Sequence, residues 1–213
     1  MKQIFYKYQG TGNDFILIDN RSKTFPDNNR VLVSKLCNRR FGIGADGLIL
    51  LEESSNSDFK MVYFNSDGWE STLCGNGARC TVAFAAQLGI IISKTKFEAI
   101  DGIHLASIKD EIVSLEMHDV QEIQTFDSHS FLDTGSPHHV EIVQNLKSVD
   151  VFTKGRKIRT GAPYYEAGSN VNFVEQIDPD QFAIRTYERG VEDETLSCGT
   201  GATAVAIAMH KNK

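Results

Sequence analysis

The sequence has no apolar run approaching the ~18 residues that a membrane-spanning helix needs, so a helical membrane protein is not expected. A basic block is also missing. Against 28 Asp and Glu stand 22 Lys and Arg, for a formal net charge of −6, and Arg39-Arg40 and Lys211-Asn212-Lys213 are too short to matter. That balance argues against a nucleic-acid binder. The opening residues Met1 to Lys7 lack the apolar stretch of a secretory signal, which points to a soluble, cytoplasmic protein. Cysteine is scarce: four residues, with no Cys-x-x-Cys pair and with His138-His139 far from all of them in sequence. Zinc suits that spacing poorly, so no metal is expected, and Cys37, Cys74, Cys80 and Cys198 read as free thiols.

What is present is a repeat. Thr11-Gly12-Asn13-Asp14-Phe15 resembles Thr134-Gly135-Ser136-Pro137-His138, and 134 − 11 gives an offset of 123. At that offset 48–52 overlies 171–175, and 59–64 overlies 182–187. Cys74-Gly75-Asn76-Gly77-Ala78 then matches Cys198-Gly199-Thr200-Gly201-Ala202, where 198 − 74 gives 124, a slip of one residue. The chain therefore divides into an N-terminal half, 1–118, carrying Cys74, and a C-terminal half, 119–213, carrying Cys198.

Short β-branched and aromatic runs at 4–8, 14–19, 48–52 and 59–64 predict strands, with counterparts near 139–143, 171–175 and 182–187. Alternation over 97–117 predicts more strands, with Asp101-Gly102 as a hairpin turn. The run from Val31 to Asn38, which contains Cys37, reads as an ordinary amphipathic helix. The Ala-rich runs Ala78–Leu88 and Ala202–Met209 predict helices apolar nearly all round and hence buried; Cys80 lies inside the first. The fold class is α+β: two pseudo-symmetric halves, each a mixed sheet wrapped around a central helix, expected to face each other across a ligand cleft.

Each Cys-Gly-x-Gly stands where a turn opens a helix. Unpartnered amides and the positive end of the helix dipole gather there, suited to a carboxylate and to a thiolate. The glycines are expected to let the backbone bend and approach a ligand. Inverting a stereocentre needs a base on one face and an acid on the other, and two matched thiols supply both. Helix amides would stabilise the carbanion as its charge spreads into a carboxylate, without a cofactor.

Gly12-Asn13-Asp14-Phe15, Asn65-Ser66-Asp67-Gly68, Cys74-Gly75-Asn76-Gly77-Ala78-Arg79-Cys80, Tyr187-Glu188-Arg189-Gly190 and Cys198-Gly199-Thr200-Gly201 resemble the signatures of the diaminopimelate epimerase family. The likeness runs over essentially the whole chain. The proline racemase class shares the two-cysteine plan but tends to have His where Asn76 stands. The resemblance implies interconversion of LL- and meso-2,6-diaminoheptanedioate, a step toward lysine and peptidoglycan, without PLP or metal. It implies that Cys74 and Cys198 are the acid/base pair, with His138 and Glu188 as supporting polar residues. Asn13, Asn65, Gly75, Asn76, Asn170, Glu188, Arg189, Gly199 and Thr200 match substrate-contacting positions. Arg189 would take the distal carboxylate. Because His138 overlies Phe15 and Glu188 overlies Asn65, the two thiols are expected to be poised differently.

Three departures stand out. Ser136 replaces a usual substrate-binding Asn, and Trp69 replaces a small residue, with an effect expected on loop packing alone. The sequence ends at Lys213 where relatives continue with further strands, so stability or activity is expected to be weak unless a partner chain, as in a homodimer, covers that face. Rival readings are a racemase of the same fold on another amino acid and a non-catalytic thiol-based binding or redox-sensing protein. A nucleotide binder is disfavoured: Gly42-Ile43-Gly44-Ala45-Asp46-Gly47 spells G-x-G-x-x-G but follows a basic turn and precedes a strand-like run.

Overall fold

The computed structural model describes residues 3–26, 29–71, 73–117 and 119–211. Met1 and Lys2 of the opening stretch, Asn212 and Lys213 of the basic ending, and residue 118 at the expected boundary lie outside the described residues. The chain divides into two compact units, Met1–Glu116 and Met117–Lys213.

The first unit holds β1 (Tyr6–Gly10), β2 (Asn13–Asp19), α1 (Arg30–Cys37), β3 (Gly47–Glu52), β4 (Phe59–Asn65), α2 (Gly75–Gln87), β5 (Lys94–Ala99), β6 (Gly102–Lys109) and β7 (Ile112–Leu115). The strands form one sheet in chain order, parallel where a helix intervenes (β2/β3 and β4/β5) and antiparallel elsewhere. The β1–β2 hairpin turns on Thr11 and Gly12, both at positive φ (56° and 86°), the backbone that a two-residue loop demands. The β5–β6 hairpin differs by one residue from the expected turn. Its loop is Ile100-Asp101, and Gly102 opens β6 at φ 124°, which glycine alone adopts without strain.

The unbroken apolar run of β3 has a cause, for this part of the sheet is covered on both faces. Phe15, Leu17, Ile49 and Leu51 face α2, while Ile16, Ile18, Leu48 and Leu50 join Val33 and Cys37 of α1. Asn29 caps α1 by accepting from the Leu32 amide at 2.9 Å. The sheet wraps α2, which packs on β1, β2, β3, β4, β6 and β7.

The second unit holds β8 (Ile123–Thr125), β9 (Ser130–Asp133), β10 (Pro137–Ile142), α3 (Val151–Thr160), β11 (Asn170–Asp178), β12 (Gln181–Glu188), β13 (Asp193–Thr195) and α4 (Gly199–Lys211). Its sheet runs β13-β12-β11-β10-β9-β8, with β10 and β11 parallel. Leu132, Val140 and Val174 pack against Ala204, Val205, Ala208 and Met209 of α4. On the other face Val171, Phe173 and Tyr187 meet Val151 of α3. The expectation that α4 is buried all round is corrected: Ala202, Ala206 and His210 are exposed along one stripe. Alanine is a good helix former on either face, so an Ala-rich run does not report which side is wet. No helix among the described residues is long and apolar enough to cross a membrane.

The strand registers obey the repeat. Phe15 pairs with Gly47 and His138 with Asn170; Leu48 pairs with Phe64 and Val171 with Tyr187, each pair displaced by 123. Phe64 bridges Glu70 while Tyr187 pairs with Glu194, so the slip to 124 falls in the turn after β4 and β12. Residues 65–69 separate the bridged pair in the first unit and 188–193 the corresponding pair in the second, one residue more.

The sequence reading did not anticipate α3, whose Val-Phe-Thr-Lys-Gly-Arg-Lys-Ile-Arg-Thr is polar and broken by a glycine. Two signals were present: Asp150 as N-cap, accepting from the Thr153 amide at 3.0 Å, and the position of α1 one repeat earlier. Gly155 sits where α3 crosses Tyr187, and a Cβ there would lie 2.4 Å from the Tyr187 Cβ. Helix propensity favours Gly155→Ala by about 1 kcal/mol, but the fully buried Tyr187 has no room to give. Overpacking is expected to win, with a net loss of roughly 1–2 kcal/mol read as a lower urea midpoint. A raised midpoint would contradict the close crossing.

Candidate active site

In the first unit Cys74 is the N-cap of α2, in extended backbone (φ −98°, ψ 117°), and its carbonyl takes the first helical bond from Ala78 at 2.8 Å. Its thiol donates to Asn13 Oδ1 at 3.5 Å, and Asn76 Nδ2 donates to the same oxygen at 3.4 Å. Thr11 Oγ1 and Arg79 donate to Asn76 Oδ1. The orientation of Asn13 is set from behind. Its Nδ2 donates to Asp46 Oδ2 at 2.8 Å, which leaves Oδ1 turned toward the thiol. Arg39 in turn holds Asp46 (2.6 Å) and Asp14 (2.7 Å), and Lys7 reaches Asp14 at 2.7 Å. Burial alone would raise the Asp14 carboxyl, but the bonds from Arg39 and Lys7 outweigh it and hold it well below the usual carboxylate range.

This network was missed in the sequence, where Asp46 registered only as a letter of the glycine motif. Asn65 ends β4, and its backbone closes the following turn through bonds with Trp69 O and Gly68 N, both 2.9 Å. Trp69, expected to matter only for loop packing, lies under the Arg30 guanidinium at 4.1 Å and ties this turn to α1.

In the second unit Cys198 directly precedes α4, and its carbonyl accepts from Ala202 at 2.9 Å, as Cys74 does from Ala78. Its Sγ lies 3.4 Å from Thr200 Oγ1. Burial and the Glu188 charge raise the Cys198 thiol, against hydrogen bonds from Thr200 and the Gly201 amide. Glu188, at the end of β12, is itself raised by burial. Asn170 is buried, and its amide is fully engaged. It donates to Ser136 Oγ (2.8 Å) and Pro137 O (3.1 Å) and accepts from the Arg189 backbone N–H (2.8 Å). Asn170 therefore ties the Ser136 turn to the Arg189 turn. The Arg189 guanidinium donates to Ala167 O at 2.9 Å. Thr200 accepts from Thr134 Oγ1 at 2.9 Å, and Gly199 accepts from Thr203 Oγ1 at 3.1 Å.

His138 is 0 % exposed, with Nδ1 3.0 Å from Asn172 Nδ2. Burial, and then the Arg189 charge, push its pKa down to about 3, so it is neutral at physiological pH.

The glycines act differently from the expectation. None of Gly75, Gly77, Gly199 and Gly201 has positive φ. A Cβ on Gly77 would lie 3.0 Å from Ile49 Cδ1, and one on Gly201 only 2.4 Å from Asn172 Oδ1. The fourth-position glycine thus seats each helix on the middle of its sheet. A Cβ on Gly75 would have only Arg79 Nη1, at 3.7 Å, nearby. Among the described residues no group of three or more His, Cys, Asp or Glu is placed to hold a metal.

A sequence model of the diaminopimelate epimerase family matches residues 5–122 and 130–213. The chain is 64% identical over 205 residues to a diaminopimelate epimerase of Flavobacterium psychrophilum, covering 96% of this chain and 80% of that one. It is 40% identical over 225 residues to a diaminopimelate epimerase of Aquifex aeolicus, covering 97% and 81%. Among solved structures, a PhzF-family phenazine biosynthesis protein of Bacillus anthracis matches with a TM-score of 0.73 at 15% identity, covering 99% of this chain and 80% of that one. A hydroxyproline epimerase of Agrobacterium vitis matches at 0.63, also at 15% identity, covering 98% and 76%. These two share the fold. The family match and the two close relatives settle the kinship: the chain belongs to the diaminopimelate epimerase family.

Proposed function

We propose that this chain interconverts LL- and meso-2,6-diaminoheptanedioate in the cytoplasm, with Cys74 and Cys198 exchanging base and acid roles at one α-carbon. Family membership makes it an isomerase acting on an amino acid. The observation that carries the reading is the matched placement of the two thiols. Each stands immediately before the first turn of its unit's Cys-Gly-x-Gly helix, at corresponding points of the repeat.

The chemistry follows. A thiolate at a helix N-terminus is stabilised by the dipole, and neighbouring amides can take up charge as it spreads from the α-carbon into the carboxylate. Asn13, Asn76 and Asn65 would orient the substrate through uncharged groups. Gly75, Gly199 and Thr200 would offer backbone amides. Arg189, held in place by Asn170, would take the distal carboxylate. The reaction needs one thiol protonated and one ionised. Cys198, raised by burial and by Glu188, suits the protonated role at rest.

The direct test is deuterium incorporation at Cα of diaminopimelate in D2O, followed by NMR and chiral chromatography. Exchange accompanied by inversion is expected. Exchange with other amino acids but not with diaminopimelate would transfer the reading to a different racemase, and no exchange with any would favour a non-catalytic thiol protein.

A further inference from the structure

The repeat gives each residue under the Cys198 helix a counterpart under the Cys74 helix, and at three positions the chemistry changes. Phe15, Ile49 and Tyr63 in the first unit correspond to His138, Asn172 and Thr186 in the second, each displaced by 123. The first set is aromatic and aliphatic, with the Phe15 and Tyr63 rings edge to face at 6.0 Å and Ile49 beneath Gly77. The second set is a hydrogen-bonded chain. Thr186 Oγ1 donates to Asn172 Oδ1 at 3.0 Å, and Asn172 Nδ2 donates to both the His139 carbonyl and His138 Nδ1, each at 3.0 Å.

The direction of that chain is fixed by its ends. A backbone carbonyl only accepts, so the atom of Asn172 facing His139 O is the NH2, and the same NH2 meets His138 Nδ1. Nδ1 therefore presents its lone pair, and the neutral imidazole carries its proton on Nε2. Nε2 is buried and has no hydrogen-bond partner among the described residues. A buried donor without a partner costs about 1–3 kcal/mol, and such an orphan is expected where a ligand completes the bond.

We propose that Asn172 is a positioning residue that locks His138 as a neutral Nε2–H donor, so that His138 supplies a hydrogen bond to the anion formed in the reaction and does not act as its base. The donor role rests on the function proposed above; the lock itself does not. The depressed pKa of His138 agrees with a group that stays neutral through the working range.

Long-range 1H–15N correlations of the His138 imidazole in the wild-type protein test the lock without any substitution. A proton on Nε2 and a bare Nδ1 across pH 5–8 are expected, while a proton on Nδ1, or titration near the ordinary value of ~6.5, overturns the proposal. Asn172→Asp keeps the side-chain shape but turns the donor into an acceptor, so the tautomer should flip, with kcat falling about 10²-fold, KM little changed and a new ionisation in the pH–rate profile. Thr186→Val, which frees Asn172 while leaving His138 untouched, should give a smaller change in the same direction. A variant with a flipped tautomer and undiminished kcat would overturn the donor role. Wild-type protein with Nε2–H in place but no α-proton exchange would count against the proposed reaction alone.

Discussion

Alanine at Cys74 or at Cys198 is expected to abolish inversion, with kcat for epimerisation down by at least about 10³-fold in either variant, because each thiol supplies an acid/base step worth 10²–10⁴. The two losses should be separable by isotope. A variant that keeps one thiol can still remove the α-proton on that thiol's face and return a deuteron to the same face. Each variant should therefore wash deuterium into one stereoisomer with retention, and the two variants should choose opposite isomers. Cys37→Ala and Cys80→Ala serve as controls, since burial pushes both thiols up to about 11 and neither belongs to the proposed pair. Inversion surviving in either active-site variant would remove the two-thiol assignment. Exchange into both isomers by one variant would mean that a single base reaches both faces.

Acidification is expected to unfold the second unit well before ordinary carboxylate titration. His138 and His139 are both pushed down to about 3, each chiefly by burial. Neighbouring cations add to the effect, Arg189 for His138, and His129 and Lys154 for His139. In the unfolded chain both histidines titrate near ~6.5. Between these values the unfolded state binds more protons, so stability is full above about pH 6.5 and falls as pH drops toward 3. Two such groups give a slope of roughly 2.7 kcal/mol per pH unit, large against the 5–15 kcal/mol of a typical domain.

The structural basis around His139 is a stack. Its ring lies 4.1 Å from that of His129, and its Nδ1 meets the Tyr164 hydroxyl at 2.9 Å. His129 is lowered as well and adds in the same sense, while Glu188, raised by burial, opposes it. Urea unfolding at pH 7, 6 and 5, with hydrogen exchange to localise the loss, reads the slope. His139→Gln should roughly halve it, and an unchanged slope in that variant would show that these rings are not the source.

Much of the fold was legible because hydrophobic alternation and the repeat constrained each other. The offset of 123 aligned runs that turned out to be strands in matching registers. The same offset places α3 one repeat after α1, but that signal went unread, since a polar surface and Gly155 against Tyr187 leave little apolar signature. Short edge strands such as β8 and β13 have too few residues to show a period. In the site, the cysteine turns were visible because they are local. The support behind Asn13 was not, because Asp46 meets it, Arg39 meets Asp46 and Asp14, and Lys7 meets Asp14, only through the fold. Asn172 had a signal that went unread: an amide where the other half carries Ile49 beneath the same glycine.

The three exchanged positions also limit how the halves of such a chain drift apart. A histidine placed alone at position 15, with Ile49 where the second unit has Asn172, would bury a ring nitrogen without the amide that meets His138. An amide alone at position 49 would strand its NH2 in the same way. Neither single step is tolerable where Phe15 and Ile49 are wholly shielded from water, so the polar set is inherited or lost as a block. A sequence carrying one member without the others is expected to be poorly folded.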